Sequence, residues 1–321
     1  MEKFTLHQVA SRGSVFADDV RAGLARPAKA IPPRWFYDEL GSVLFDAICL
    51  LPEYYVTRAE TEIFETHAAE IADAMRGAGR LIELGSGTAR KTRLLLPHLD
   101  AVEYVPVDID CTMVEKTGRR IAEELDAVRV TSVCGDFTDP SAILGSLPPS
   151  EGATTVLFLG STIGNLDHAA SASMLTGVRR QLRPGDQFLL GADLKKDSRI
   201  LHAAYNDALG VTAAFNLNLL TRINRELGGQ FDIAAFRHRA CFNEAAGRIE
   251  MYLDSTRAQA VAIESLGMTV EILDGEAIHT ENSYKYTLEE LGELARGSGF
   301  GVARSWTDQR GWFADVLFVA E

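Results

Sequence analysis

The chain has 321 residues, 46% of them hydrophobic, and a formal net charge of −13. That is apolar material for one large domain or two modest ones, while the acidic balance excludes a nucleic-acid backbone as partner, which calls for clustered Lys and Arg. No apolar run is long enough to span a bilayer, and Met1-Glu2-Lys3-Phe4-Thr5 lacks the basic-then-apolar layout of a signal peptide. A cytoplasmic monomer acting on a small molecule is therefore expected, with no nucleic acid and no membrane as partner. Cys49, Cys111, Cys134 and Cys241 stand far apart without a C-x-x-C pair and read as small buried hydrophobes in a reducing compartment. The histidines show no H-x-H or H-E-x-x-H spacing, so no metal site is expected.

In chain order, a weak signal gives a helix over Val15–Leu24 with Asp18, Asp19 and Arg21 outward. Pro32-Pro33 ends it and begins Arg34-Trp35-Phe36-Tyr37-Asp38, whose three adjacent aromatics are dense for a surface loop and would suit a plug at a domain junction. Leu50-Leu51-Pro52-Glu53-Tyr54-Tyr55 is a turn carrying two tyrosines. Thr57 to Met75 reads as a helix with Ile63, Phe64, His67, Ala68, Ile71 and Met75 along one stripe, His67 as a core histidine.

From Arg80 the pattern becomes strand, turn, helix, strand. Leu81–Leu84 is a short buried strand containing Glu83, followed by Gly85-Ser86-Gly87-Thr88-Ala89-Arg90-Lys91-Thr92. A glycine turn at the carboxyl end of a strand is where open α/β sheets hold nucleotide-like ligands, because the backbone can approach closely there. A P-loop would need glycine directly before Lys91-Thr92, and a dinucleotide fingerprint a third glycine three residues after Gly87; both positions are Arg90. What remains is the looser E-x-G-x-G pattern similar to that of S-adenosylmethionine-dependent methyltransferases.

Val102–Val107 is the second strand, and Asp108 at its end is placed to accept from ribose hydroxyls, with Asp110 the better N-cap for a helix near Met113–Leu125. Val128–Val133 leads to Gly135-Asp136-Phe137, where a carboxylate can accept from an adenine amine while the ring covers the base. Asp139-Pro140 starts another helix. Thr154–Leu159 ends in the small-residue loop Gly160-Ser161-Thr162-Ile163-Gly164-Asn165, expected to face cofactor and substrate. A helix over 169–182 and a strand over Gln187–Asp193 follow.

The pattern then breaks. Lys195–Glu226 is largely helical, and from Ala240 to Tyr286 the period is two, giving strands around Arg248–Leu253, Thr269–Leu273 and Glu281–Lys285, a small antiparallel insertion. Thr287-x-x-Glu290 is a capping box, its helix runs to about Arg296, and Val302–Thr307 and Trp312–Val319 close the chain as a strand pair. The fold class is α/β: a Rossmann-like sheet with helices on both faces over 60–194 and 285–321, and a smaller discontinuous α+β substrate domain over 1–59 and 195–284. The default ligand position is a cleft between two such domains.

Trp35-Phe36-Tyr37-Asp38, Leu51-Pro52-Glu53-Tyr54-Tyr55, Glu83-Leu84-Gly85-Ser86-Gly87-Thr88, Cys134-Gly135-Asp136-Phe137 and Phe158-Leu159-Gly160-Ser161-Thr162-Ile163-Gly164-Asn165 occur in this order. Together they closely resemble the L-histidine Nα-methyltransferases that form hercynine (trimethylhistidine) in ergothioneine biosynthesis. Val56 departs from that pattern, which carries proline there, as does Tyr284-Lys285-Tyr286, where the family varies.

The resemblance implies that S-adenosylmethionine contacts Gly85, Lys91, Asp108, Asp136, Phe137 and Gly160, with Lys91 on its carboxylate. It implies that Asn165 and Tyr205 hold the carboxylate of the amino acid and that Tyr37 and Tyr54 surround its amine; no residue need be the base, and the hydroxyls of Tyr37 and Tyr54, the candidate catalytic residues, or a bound water would relay the proton. It further implies that Glu281 and Ser283 hold the imidazole, with Met251 and Phe215 as pocket wall. Residues two apart on a strand point the same way, so the Glu281/Ser283 pair can grip two ring nitrogens; without the resemblance, Glu281 reads as a solvent-facing strand residue. Two rivals stay open: the same architecture acting on tryptophan or tyrosine, and a non-catalytic sensor of S-adenosylmethionine or histidine.

Overall fold

The computed structural model describes residues 3–9, 15–75, 77–100 and 102–321. Its first half runs β1 (Phe4–Gln8), α1 (Phe16–Leu24), α2 (Glu39–Leu50), α3 (Val56–Ala74), β2 (Ala78–Leu84), α4 (Thr92–Leu95), β3 (Val102–Asp108), α5 (Cys111–Glu124), β4 (Val128–Cys134), α6 (Pro140–Ser146) and β5 (Ala153–Phe158). The second half runs α7 (His168–Arg179), β6 (Gln187–Asp193), α8 (Ser198–Tyr205), α9 (Val211–Leu227), β7 (Phe236–Asn243), β8 (Arg248–Ser255), β9 (Gln259–Ile263), β10 (Met268–Ile272), β11 (Ala277–Tyr284), α10 (Leu288–Gly297), β12 (Phe300–Thr307) and β13 (Phe313–Ala320). Two compact units result. The first holds β1, Val56–Lys195 and Tyr286–Glu321; the second holds the chain from α1 to Tyr55 and Lys196–Lys285.

The first unit is built on an eight-stranded sheet in the order β1-β4-β3-β2-β5-β6-β13-β12. All neighbours are parallel except β13, which runs antiparallel to both β6 and β12. Leu81, Ile82, Glu83 and Leu84 are all buried, as expected of a strand covered on both faces. Strand order reverses between β2 and β5, the switch point at which α/β sheets bind ligands. The expected caps are in place: Asp110 accepts from Met113 N at 2.9 Å, Asp139 from Ala142 N at 3.1 Å, and Thr287 and Glu290 bond reciprocally.

Three expectations for this unit need correction. Residues 3–9 were assigned to the substrate domain, but β1 pairs in parallel with β4 and extends the sheet by one edge strand; residues 1, 2 and 10–14 of that assignment lie outside the described residues. A single five-residue strand with no helix of its own before it leaves almost no periodic signal. His67 is not a core residue: its ring is partly exposed and bonds Glu70 at 3.3 Å, satisfied at the helix surface. The four cysteines are not all free, because Cys111 and Cys134 form a disulfide. Cys134 pairs with Asp108 at the end of the parallel strands and Cys111 opens the helix three residues beyond Asp108, which brings the Cα atoms to 4.8 Å despite 23 residues of separation.

The second unit combines α1, α2, α8 and α9 with a three-stranded antiparallel sheet, β11-β8-β7, and a two-stranded one, β10-β9. Helix α2 escapes the sequence pattern because its apolar residues are spread around the cylinder: Leu40, Val43 and Leu50 are exposed while Ile48 is buried. It is capped by Asp38, whose Oδ1 accepts from Gly41 N at 2.7 Å and from Asn218 Nδ2 at 2.8 Å, with Arg225 2.5 Å from Oδ2. Gly41 is required there, since a Cβ would stand 1.7 Å from the Phe36 carbonyl oxygen. No helix among the described residues is long and apolar enough to cross a membrane.

Candidate functional site

In the first unit, the residues expected at the cofactor lie at or just beyond the carboxyl ends of β2, β3, β4 and β5, except Lys91, which stands at the start of α4. Gly85 and Gly87 follow β2 with φ of +73° and +49°, and Gly160 follows β5 with φ of +78°, conformations that favour glycine. A Cβ on Gly85 would also meet Phe137 Cε1 at 3.2 Å, so the turn and the ring approach each other as a cradle for a flat group would require. Phe137 is held edge-on to Phe158, centroids 5.7 Å apart. Asp108 ends β3 and accepts from Gly87 N at 2.8 Å and Asp110 N at 3.0 Å, so it braces the glycine turn; burial pushes its carboxyl above the usual range. Asp136 accepts from Thr138 N at 2.9 Å and Thr138 Oγ1 at 2.7 Å.

Lys91 makes an ion pair with the fully buried Glu60 of α3, and the same carboxylate accepts from Gly160 N at 2.8 and 3.0 Å. Glu60 was missed in the sequence. The available signal was its place one turn before Ile63 and Phe64, on the apolar stripe of its helix. Glu83, inside β2, accepts from the Tyr104 hydroxyl, and burial raises its pKa to about 7. Asn165 ends the short 3-10 turn after β5 and is half-buried in this unit. The glycine conformations, the Phe137 approach and the Lys91 ammonium fit a ligand with a flat base at one end and a carboxylate at the other.

In the second unit, Glu281, Ser283 and Lys285 project alternately from β11 and its continuation, and all three are buried. A bulge between His279 and Glu281 resets the register so that Glu281 pairs with Met251 of β8; bulges of this kind re-aim side chains. The sheet-surface reading of Glu281 is therefore wrong, because it took the strand to have a wet face. Burial pushes Glu281 up to about 7, with the Lys285 charge opposing it, and its carboxyl accepts no hydrogen bond among the described residues. A buried carboxyl in that condition is set to receive a donor from elsewhere.

Tyr205, at the end of α8, lies 2.8 Å from Ser283 Oγ through its hydroxyl. Lys285 Nζ donates to both, at 3.0 Å to Tyr205 and 2.8 Å to Ser283. Lys285 was set aside in the sequence as part of a variable segment; continuing the period-two reading from Glu281 and Ser283 finds it. Tyr54 packs edge-on to Tyr205 at 6.2 Å and to Phe45 at 6.2 Å, while Tyr37 meets Phe45 at 5.5 Å and Phe215 at 5.7 Å. Phe36 is fully buried against Phe215 and Tyr37 is the exposed member of the aromatic triplet. Burial first, then the neighbouring Tyr205, holds Tyr54 well above the ordinary tyrosine pKa. Its phenol stays protonated at neutral pH and can pass a proton along but not serve as a tyrosinate.

The profile of histidine-specific, S-adenosylmethionine-dependent methyltransferases matches residues 16–320. The chain is 46% identical over 306 residues to a histidine N-alpha-methyltransferase of Mycolicibacterium smegmatis, covering 94% of each chain. It is 45% identical over 299 residues to the histidine N-alpha-methyltransferase of Mycobacterium tuberculosis, covering 92% of each. A more distant relative, ergothioneine biosynthesis protein 1 of Neurospora crassa, is 30% identical over 289 residues, which are 87% of this chain and 32% of that protein.

Proposed function

We propose, from the premise that this chain belongs to the histidine-specific, S-adenosylmethionine-dependent methyltransferases, that it transfers three methyl groups to the α-amino nitrogen of L-histidine, giving hercynine for ergothioneine biosynthesis. The observation that carries the choice of histidine is the buried, acceptor-ready Glu281 two residues from Ser283 on one strand. An imidazole offers one N–H donor and one nitrogen acceptor, which Glu281 and the Ser283 hydroxyl complement. Indole has no second nitrogen, and an apolar side chain would leave the Glu281 carboxyl unpaired. The relatives named as histidine N-alpha-methyltransferases support the same reading.

The first unit would carry the cofactor residues and Asn165, and the second the other residues for the amino acid. Gly85, Lys91, Asp108, Asp136, Phe137 and Gly160 would hold S-adenosylmethionine, which when bound supplies a methyl group on a sulfonium, an electrophile that needs no further activation. The protein's contribution is then alignment and exclusion of water. Asn165 and Tyr205 would hold the amino acid's carboxylate, Met251 and Phe215 would line its ring, and Tyr37 and Tyr54 would surround its amine. An α-amino group has a pKa of roughly 8 and must lose its proton to attack; we assign its passage to the hydroxyls of Tyr54 and Tyr37, each giving up its own proton as it takes one, with the last going to bulk water at the exposed Tyr37. Aromatic faces around the amine also favour the quaternary ammonium made by the third transfer. We further propose a cytoplasmic monomer, the Cys111–Cys134 bridge being the one feature unusual for a reducing compartment.

Calorimetric titration in the presence of S-adenosylhomocysteine tests the substrate assignment. Histidine is expected to bind while tryptophan and tyrosine give no heat; tight binding of either aromatic amino acid in preference to histidine would contradict it.

A further inference from the structure

Glu60 is an unusual residue to find with no solvent exposure, and it is not alone. Asp315 of β13 is equally buried, neither of its oxygens has a hydrogen-bond partner among the described residues, and it pairs in register with Gly191 of β6. Gly191 has an ordinary backbone conformation, so it is the space that matters. A Cβ there would lie 2.2 Å from Glu60 Oε1 and 3.1 Å from Asp315 Oδ1. The missing side chain thus makes room for two carboxyl groups under the end of the sheet. Burial and the adjacent Glu60 charge push Asp315 well above the usual range, as two neighbouring carboxylates cannot both ionise. The two carboxyl groups share the buried space that Gly191 leaves, and of the two it is the Glu60 carboxylate that has partners.

That carboxylate in turn accepts from Gly160 N and pairs with Lys91. The Lys91 ammonium has three N–H donors, and Glu60 occupies one side of it. With Glu60 holding it at the ends of β2 and β5, the remaining donors are directed rather than free to rotate on a flexible stem.

We propose that Glu60, seated over Gly191 and beside Asp315, is a positioning residue for the cofactor: it sets Lys91 Nζ and Gly160 for the carboxylate-bearing end of S-adenosylmethionine. The inference rests on the reading of Lys91 as the partner of that carboxylate, and it adds a buried two-carboxyl support to it.

Calorimetry of S-adenosylmethionine binding to wild type, Glu60→Gln, Lys91→Met and the double variant tests the idea, together with kcat and KM for the cofactor. Glu60→Gln is expected to weaken binding about tenfold, the scale of one charge-assisted hydrogen bond, raising KM more than it lowers kcat. The double variant is expected to bind about as weakly as Lys91→Met alone, because Glu60 acts through Lys91. Asp315→Asn keeps the shape and polarity of the side chain beside Glu60 and is expected to hold cofactor affinity better than Asp315→Leu. Should Glu60→Gln fail to fold, Glu60→Asp, which keeps the charge but shortens its reach, gives the same reading. Weak binding by Lys91→Met with wild-type binding by the Glu60 variants would overturn the role of Glu60. Wild-type binding by Lys91→Met would instead remove the Lys91 reading on which it stands.

Discussion

At the scale of single residues, the proposed choice of substrate turns on Glu281 and on Lys285, which donates to Tyr205 and Ser283. The carboxylate is the form that accepts from an imidazole N–H, and with its pKa raised to about 7 the free enzyme loses that form on the acid side of neutrality. The expected result is a kcat/KM for histidine that falls below about pH 7, with Glu281→Gln removing this limb and leaving those of histidine's own groups. The same substitution should lower kcat/KM at pH 8 by about 10–100-fold. Lys285→Met removes the donors to Tyr205 and Ser283 while keeping the length of the side chain. It is expected to raise the KM for histidine about tenfold or more and leave the binding of S-adenosylmethionine unchanged; a loss of cofactor affinity instead would mark Lys285 as a general fold residue. The assignment of Glu281 and Ser283 to the imidazole comes from the resemblance, with their spacing of two on a strand as independent support. Alternation alone could not tell a wet strand face from a pocket wall, because burial comes from the chain packed over it.

At the scale of elements, local chemistry predicted most of what the structure contains. Glu83-x-Gly85-x-Gly87, Asp108 and Asp136 fall at the ends of three adjacent parallel strands because each apolar run stops where the sheet does. The caps at Asp110, Asp139 and Thr287 were read correctly, since capping is decided within four residues. Two missed features depend on distant chain: β1, which pairs with β4 from Phe4 opposite Val130 onward, and the neighbouring ends that join Cys111 to Cys134; helix α2 escapes because its apolar residues do not form one stripe. The interior of β2 also makes a prediction. Glu83 is raised by burial from 4.5 to about 7, so below pH 4.5 both folded and unfolded forms are protonated and no cost arises. Between 4.5 and about 7 the unfolded chain ionises while the folded one holds its proton, and stability falls; above about 7 the cost is fully present. Glu83→Gln is expected to flatten that part of the stability–pH curve measured by denaturant unfolding, and an unchanged slope would contradict the assignment.

At the scale of the whole molecule, the chain visits one compact unit, leaves for the other and returns, so each unit gathers residues far apart in sequence. The motif order put the boundaries at 59/60, 194/195 and 284/285; the structure has them after Tyr55, Lys195 and Lys285. It failed at the N-terminus, where a single edge strand belongs to the sheet while the helices that follow belong elsewhere. The residues proposed for the cofactor lie in the first unit together with Asn165, and Tyr37, Tyr54, Tyr205, Phe215, Met251, Glu281, Ser283 and Lys285 lie in the second. That division suits a reaction with one activated methyl donor and one amino-acid acceptor. It also suits a sensor that binds both and converts neither, so product formation is the deciding observation.

The most direct test is to incubate the protein with S-adenosylmethionine in excess over an equimolar mixture of the twenty amino acids and identify products by mass spectrometry. A trimethylated product of histidine alone is expected. Accumulation of monomethylhistidine would contradict the three-step transfer, methylation of another amino acid would contradict the Glu281/Ser283 reading, and no product at all with both ligands bound would contradict catalysis itself.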